Sequence, residues 1–163
     1  MNPQVRVLLE IVDEAFAAKS WHGTNLKGSI RGLTIDAVTW RPQPRRHNIW
    51  EIVLHAAYWK YTVHRRLVGE QRGSFPLTGS NWFARPLLGV EPGKQWKSDV
   101  SLLVVTHGSL REAISQLSDR DLERPANGGQ TRVGTLVRGI AAHDLYHAGQ
   151  IQLLKRMYAD RQS

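Results

Sequence analysis

The sequence predicts an all-α protein, a four-helix bundle with a long crossover between its second and third helices. Three observations predict it. Four segments carry apolar residues at helical spacing. A long stretch between the second and third, Gln71 to Trp96, is broken by Gly73, Gly79, Gly89, Gly93, Pro76, Pro86 and Pro92. No segment alternates apolar and polar residues as a half-buried strand does. The chain has 163 residues, of which 41% are hydrophobic. That suffices for one core, so residues 1–163 read as a single domain.

The first helix runs from about Pro3 to Lys19. Val5, Leu8, Leu9, Val12 and Phe16 form its apolar stripe, and a proline at the start suits the first helical turn. It breaks at Ser20-Trp21-His22-Gly23. A short helical piece follows from Asn25 to Leu33. Trp40-Arg41-Pro42-Gln43-Pro44 then reads as a stiff extended linker.

The second helix spans about His47 to Glu70, with Ile49, Ile52, Val53, Ala56, Trp59, Val63 and Leu67 inward. The loop from Gln71 to Trp96 is far longer than the roughly 2–8 residues that usually join bundle helices. A loop of that length can travel the bundle and leave helices two and three parallel. Its aromatics, Trp82, Phe83 and Trp96, are expected to lie against the bundle. The third helix runs from about Lys97 to Leu117, with Val100, Leu103, His107, Leu110, Ile114 and Leu117 inward. The link to Gln130 is shorter, so the fourth helix, Thr131 to Tyr158, returns antiparallel.

Composition excludes several classes. There are no cysteines, hence no disulfide, no thiolate ligand and no cysteine nucleophile. No apolar run approaches the roughly 18 residues of a membrane span. Met1-Asn2-Pro3-Gln4 does not begin a basic-then-apolar leader, so the expected location is cytoplasmic. Net charge is +8, but the basic residues are scattered, with doublets at Arg45-Arg46, Arg65-Arg66 and Lys155-Arg156. Scatter of this kind describes a solvated basic surface better than a nucleic-acid interface.

The fourth helix carries the chemistry. His143 and His147 stand four residues apart, one above the other on one face. They fall within the stripe of Val133, Leu136, Val137, Ile140, Ile151 and Leu154, so they point inward. Two neutral imidazoles so placed can bind one metal ion. A third ligand must come from another helix. His55 and His107 both lie on or beside inward stripes, and spacing does not choose between them. The segment is no zinc-protease motif: Asp144 follows His143 where that motif has its glutamate.

Three blocks resemble the DinB/YfiT superfamily of metal-binding helical bundles. They are Ser20-Trp21-His22-Gly23-Thr24-Asn25-Leu26, His47-Asn48-Ile49-Trp50-Glu51-Ile52-Val53-Leu54-His55 and His143-Asp144-Leu145-Tyr146-His147-Ala148-Gly149-Gln150-Ile151. They span most of the chain in the family's order. The resemblance implies an up-down-down-up bundle, in agreement with the crossover. It implies His55, His143 and His147 as ligands of one divalent ion, zinc or nickel first, although imidazole also suits copper and iron.

Three protein ligands leave coordination positions open, the arrangement of metal-assisted catalysis rather than of a closed structural site. Such an ion can bring the pKa of bound water to about 7, or activate a thiol. The resemblance therefore implies a metal-dependent enzyme of transferase or hydrolase type, acting on a small molecule with a low-molecular-weight thiol as cosubstrate. The alternatives are a non-catalytic module with a basic surface for nucleic acid and a structural metal bundle.

Four further residues are candidates around the ion. Asp144 is placed to accept from an outer imidazole N–H. His107 can be a further ligand, a proton shuttle or a core histidine. His22 is expected to face substrate, and Trp59, one turn beyond His55, to shield the site from water. A homodimer is also expected, through the outer side of the fourth helix. There Leu145 lies between Ala141 and Ala148, flanked by Arg138, Gln152 and Arg156.

Overall fold

A computed structural model describes residues 2–161. Among these the regular structure is helical, with one isolated bridge between Pro125 and Arg132. The elements are α1 (Pro3–Phe16), α2 (Leu26–Ser29), α3 (Ile35–Thr39), α4 (Ile49–Val68), α5 (Pro92–Ser115), α6 (Asp119–Glu123) and α7 (Val133–Asp160). The four long helices are the four that the apolar stripes predict.

Their limits follow from local chemistry. In α4 the Asn48 side chain accepts from Glu51 N–H, while the Glu51 carboxylate accepts from Asn48 N–H. This capping box satisfies donors that the first turn leaves unpaired. The helix ends at Gly69, which takes the left-handed φ of +82° that a side chain would resist. α5 begins at Pro92 and not at Lys97, as periodicity suggests. The Glu91 carboxylate accepts from the N–H groups of Gly93 and Lys94, and Pro92 has no N–H to satisfy. The segment after α1 holds two short helices rather than one, capped by Asn25 and Thr34. The link before α7 contains α6, capped by Ser118 and Asp121.

The apolar interior is divided. One cluster joins Val5, Leu8 and Val12 of α1 to Val63 and Leu67 of α4, Leu110 and Ile114 of α5, and Val133 to Ala141 of α7. The other surrounds Trp50 and joins Ile49 to Ala57 of α4 with Leu103, Phe83, Ile151 and Leu154. Between them lies a polar layer. Lys60 on α4, His107 on α5 and Asp144 on α7 are all buried in it. The expectation of a single core is therefore refined to two, with charge between.

The loop between α4 and α5 is anchored rather than loose. Asn48 Nδ2 donates to Arg85 O at 3.0 Å. Buried Arg85 donates to Asp99 on α5 at 2.6 Å, and Trp50 Nε1 donates to the same carboxylate at 2.8 Å. Phe83 is buried, and the Phe75 ring meets Phe83 at 5.4 Å and Tyr58 at 5.3 Å. The Trp96 ring meets Trp50 edge-on at 5.3 Å, although Trp96 belongs to α5 rather than to the loop. Burial alone would raise the Glu51 carboxyl's pKa. Arg41 and His47 beside it outweigh burial and hold it below the ordinary carboxylate range.

The outer side of the fourth long helix is partly covered. Ala141 and Ala148 are buried, and Leu145 packs partly buried against the first cluster. Of the face expected to form a dimer, Ala141 and Ala148 are covered by this chain, Leu145 and Gln152 are half-buried, and Arg138 and Arg156 are exposed. Among the described residues, no helix is long and apolar enough to cross a membrane.

Candidate metal centre

His55 projects from α4 near the second cluster. His143 and His147 project from the stretch of α7 between the two clusters. Antiparallel pairing of these helix segments brings the three rings together. His143 Nε2 lies 3.2 Å from His55 Nε2 and 3.1 Å from His147 Nε2. One ligand atom from each ring falls within 4.8 Å of the others. Metal–imidazole bonds of about 2.0–2.1 Å put adjacent nitrogens roughly 2.9 to 3.4 Å apart in octahedral or tetrahedral geometry. The two close separations fall inside that range, so the residues fit a divalent ion.

Hydrogen bonds on the far side of two rings fix which nitrogen carries the lone pair. His55 Nδ1 lies 2.9 Å from Asn81 O. A carbonyl only accepts, so Nδ1 carries the proton and Nε2 is free to ligate. His147 Nδ1 lies 2.7 Å from Gln150 Oε1, with the same consequence. Gln150 is itself oriented by its amide nitrogen, which donates to the Tyr146 hydroxyl at 3.2 Å. His143 Nδ1 is buried without a partner.

The electrostatics favour neutral rings. Burial pushes His55 down to about 4, helped by the positive charge that His147 and His47 can carry. Burial likewise pushes His143 down to about 3, helped by His147, His55 and Lys60. His147 is lowered by burial, against its hydrogen bond to Gln150. Neutral imidazole is the form that binds metal.

Beside the histidines lies a cleft of about 630 Å³. Ile52, Trp82, Leu153, Leu154 and Met157 give it apolar walls, and Arg46, Gln43 and Gln150 add polar groups. Trp82 comes from the long loop. Its ring stacks on His55 at 3.9 Å and on His47 at 3.6 Å, so it covers one side of the His55 ring. The sequence places Trp82 against the bundle but not on His55. A loop residue has no periodicity to report its partner.

Of the four further candidates, one stands at the site. Trp59 lies edge-on to His55 and tilted to His143, both at 6.3 Å, and its Nε1 donates to Asn81 Oδ1 at 2.9 Å. It thereby braces the residue whose carbonyl orients His55. The role expected for Asp144 is corrected. Its carboxylate turns away from the ligands and pairs with Lys60, because α7 presents residue 144 about 100° round from residue 143. His107 is a core histidine and no ligand. Its ring stacks on Phe16 at 3.7 Å, and its Nδ1 accepts from Lys60 Nζ at 3.3 Å. His22 is exposed and does not line the cleft.

An all-helical protein with three convergent imidazoles beside an open cleft is the class that the geometry defines. The profile of the DinB superfamily matches residues 20–151. The match covers most of the chain and includes all three histidines; the chain belongs to the DinB superfamily. Neither the curated proteins nor the solved structures contain a significant match.

Proposed function

We propose that His55, His143 and His147 hold one divalent metal ion, zinc or nickel first, and that the protein is a metal-dependent enzyme of transferase or hydrolase type. The observation that carries this reading is the convergence of three Nε2 atoms, two with fixed tautomers, on the wall of a cleft large enough for a small molecule. A bound ion would supply Lewis acidity and lower the pKa of a water or thiol placed on it. The chain's own part is to present neutral imidazoles, to orient them through Asn81 and Gln150, and to exclude water from one side with Trp82. Ile52, Leu153 and Met157 hold the apolar part of a substrate, and Arg46 at the rim suits an anionic end. A low-molecular-weight thiol is the cosubstrate that family membership favours.

We further infer an up-down-down-up arrangement of the long helices. Its support is the pairing of α4 with α5 at Trp50–Asp99 and Lys60–His107, where both numbers rise together. Asp13 with Arg111 and Phe16 with His107 set α1 against α5 in the opposite sense. A homodimer is also proposed from family membership.

The test is elemental analysis of the purified protein, followed by a reaction screen with and without thiols. Activity that disappears on chelation, with the helical circular dichroism retained, supports an enzyme. A metal-loaded protein that catalyses nothing, but whose melting temperature collapses on chelation, supports a structural ion instead.

A further inference from the structure

α4 continues past the metal ligand as a second lining face. His55, Trp59, Thr62 and Arg66 follow at i, i+4, i+7 and i+11, one stripe along the helix. Beyond Trp59 this stripe forms one wall of a separate cavity of about 670 Å³. Arg65 and Arg72 complete the basic lining, and Asn127 and Gly128 close one side. None of the three ligand histidines lines it. At 1.5 Å per residue, Thr62 lies roughly 10 Å along the helix from His55.

Arg65 is half-buried and Arg72 exposed, and both also line a neighbouring cavity beside Tyr61. Arg66 is held by its Nε, which donates to Asn127 O at 3.1 Å. The Arg65 and Arg72 guanidinium groups make no hydrogen bond or ion pair among the described residues. The neighbouring acid, Glu70, lies 4.0 Å from His64 and lines a different cavity. Thr62 adds a second anomaly. A helical threonine usually returns its hydroxyl to a carbonyl of the preceding turn, as Thr106 does to Leu102 at 2.9 Å. The buried Thr62 hydroxyl has no partner among the described residues.

We propose that this cavity is an anion site that binds a phosphate or carboxylate group of a small molecule. Arg65 and Arg72 supply the charge-assisted hydrogen bonds, Arg66 a fixed positive field, and Trp59 an aromatic wall for the rest of the ligand. Guanidinium forks match the planar edges of such oxyanions. A basic groove of this size suits a small anion.

Isothermal titration of the full-length protein with inorganic phosphate and with acetate at low ionic strength tests this. One saturable site is expected for at least one of them, unchanged after chelation and after an Arg156→Gln control substitution. An Arg65→Gln/Arg72→Gln variant, its fold checked by circular dichroism, is expected to bind about tenfold or more weakly. Two results overturn the proposal: no saturable binding of either anion; or binding retained in the double variant, which, where a chelator abolishes it, puts the anion on the metal. Metal content is measured separately, so failure here leaves the metal reading standing.

Discussion

Lys60 on α4 and Asp144 on α7 form an ion pair whose side chains are 0% and 1% exposed. It occupies the layer between the two apolar clusters, with His107 beside it and Phe16 of the second cluster against both Lys60 and His107. Burial pushes the Lys60 ammonium down and the Asp144 carboxyl up, and each charge opposes the other's shift. The pair sits one residue from His143, so it pins the register of the helix that presents His143 and His147.

Removing one partner strands the other. Lys60→Met is expected to destabilise the fold by about 3–5 kcal/mol, because Asp144 keeps a buried carboxylate with no cation. A Lys60→Met/Asp144→Leu variant is expected to recover much of that loss, since apolar replacement of a whole buried pair is often neutral. Urea midpoints decide it. Equal loss in the single and double variants would show that the stranded Asp144 carboxylate is not the source of the loss.

Each of His55→Ala, His143→Ala and His147→Ala is expected to lower metal occupancy sharply, while His64→Ala and His107→Ala leave it near the parent's. Metal content per chain is the measurement. Full occupancy in His55→Ala removes α4 from the site.

Gln150 acts through His147. Gln150→Leu is expected to weaken metal binding by about tenfold, because the Nδ1 proton loses its acceptor and the lone pair is no longer held on Nε2. Competition with a chromophoric chelator reads the change. The helix itself should persist, since Gln150 is only half-buried.

His107 gives the clearest pH dependence. Burial first, and then Lys60, Arg111 and Lys27, push it down to about 3. The unfolded chain has the ordinary value near 6.5. Between those values the unfolded state takes up a proton that the folded state refuses, so stability is full above about 6.5 and falls as pH drops toward 3. His107→Gln is expected to flatten that acid limb in urea titrations taken at successive pH values. An unchanged limb assigns the acid sensitivity to other groups.

Leu145→Glu separates core from interface. Leu145 packs against the first cluster, so the charge is expected to lower the melting temperature. A variant that melts like the parent, yet halves its mass by light scattering, marks this face as a dimer contact.

Sequence alone determined the long helices and two of the histidine positions. Apolar repetition reports which residues share a face, and His143 and His147 share one helix, so their pairing is a local property. The resemblance of the His47–His55 block added the third. Capping chemistry was also written in the chain: Glu91 and Pro92 start α5 before its apolar stripe begins. Only the tertiary structure decided the rest. Asp144 and His143 are neighbours in sequence, yet one meets Lys60 and the other His55, because a helix turns about 100° per residue. Trp82 reaches His55, and Asn81 orients it, through a loop whose path depends on Arg85 and Asp99. The face at Ala141 and Ala148 is covered because other parts of the chain pack onto α7. Contacts between distant segments are set by packing, and no spacing along the chain records them.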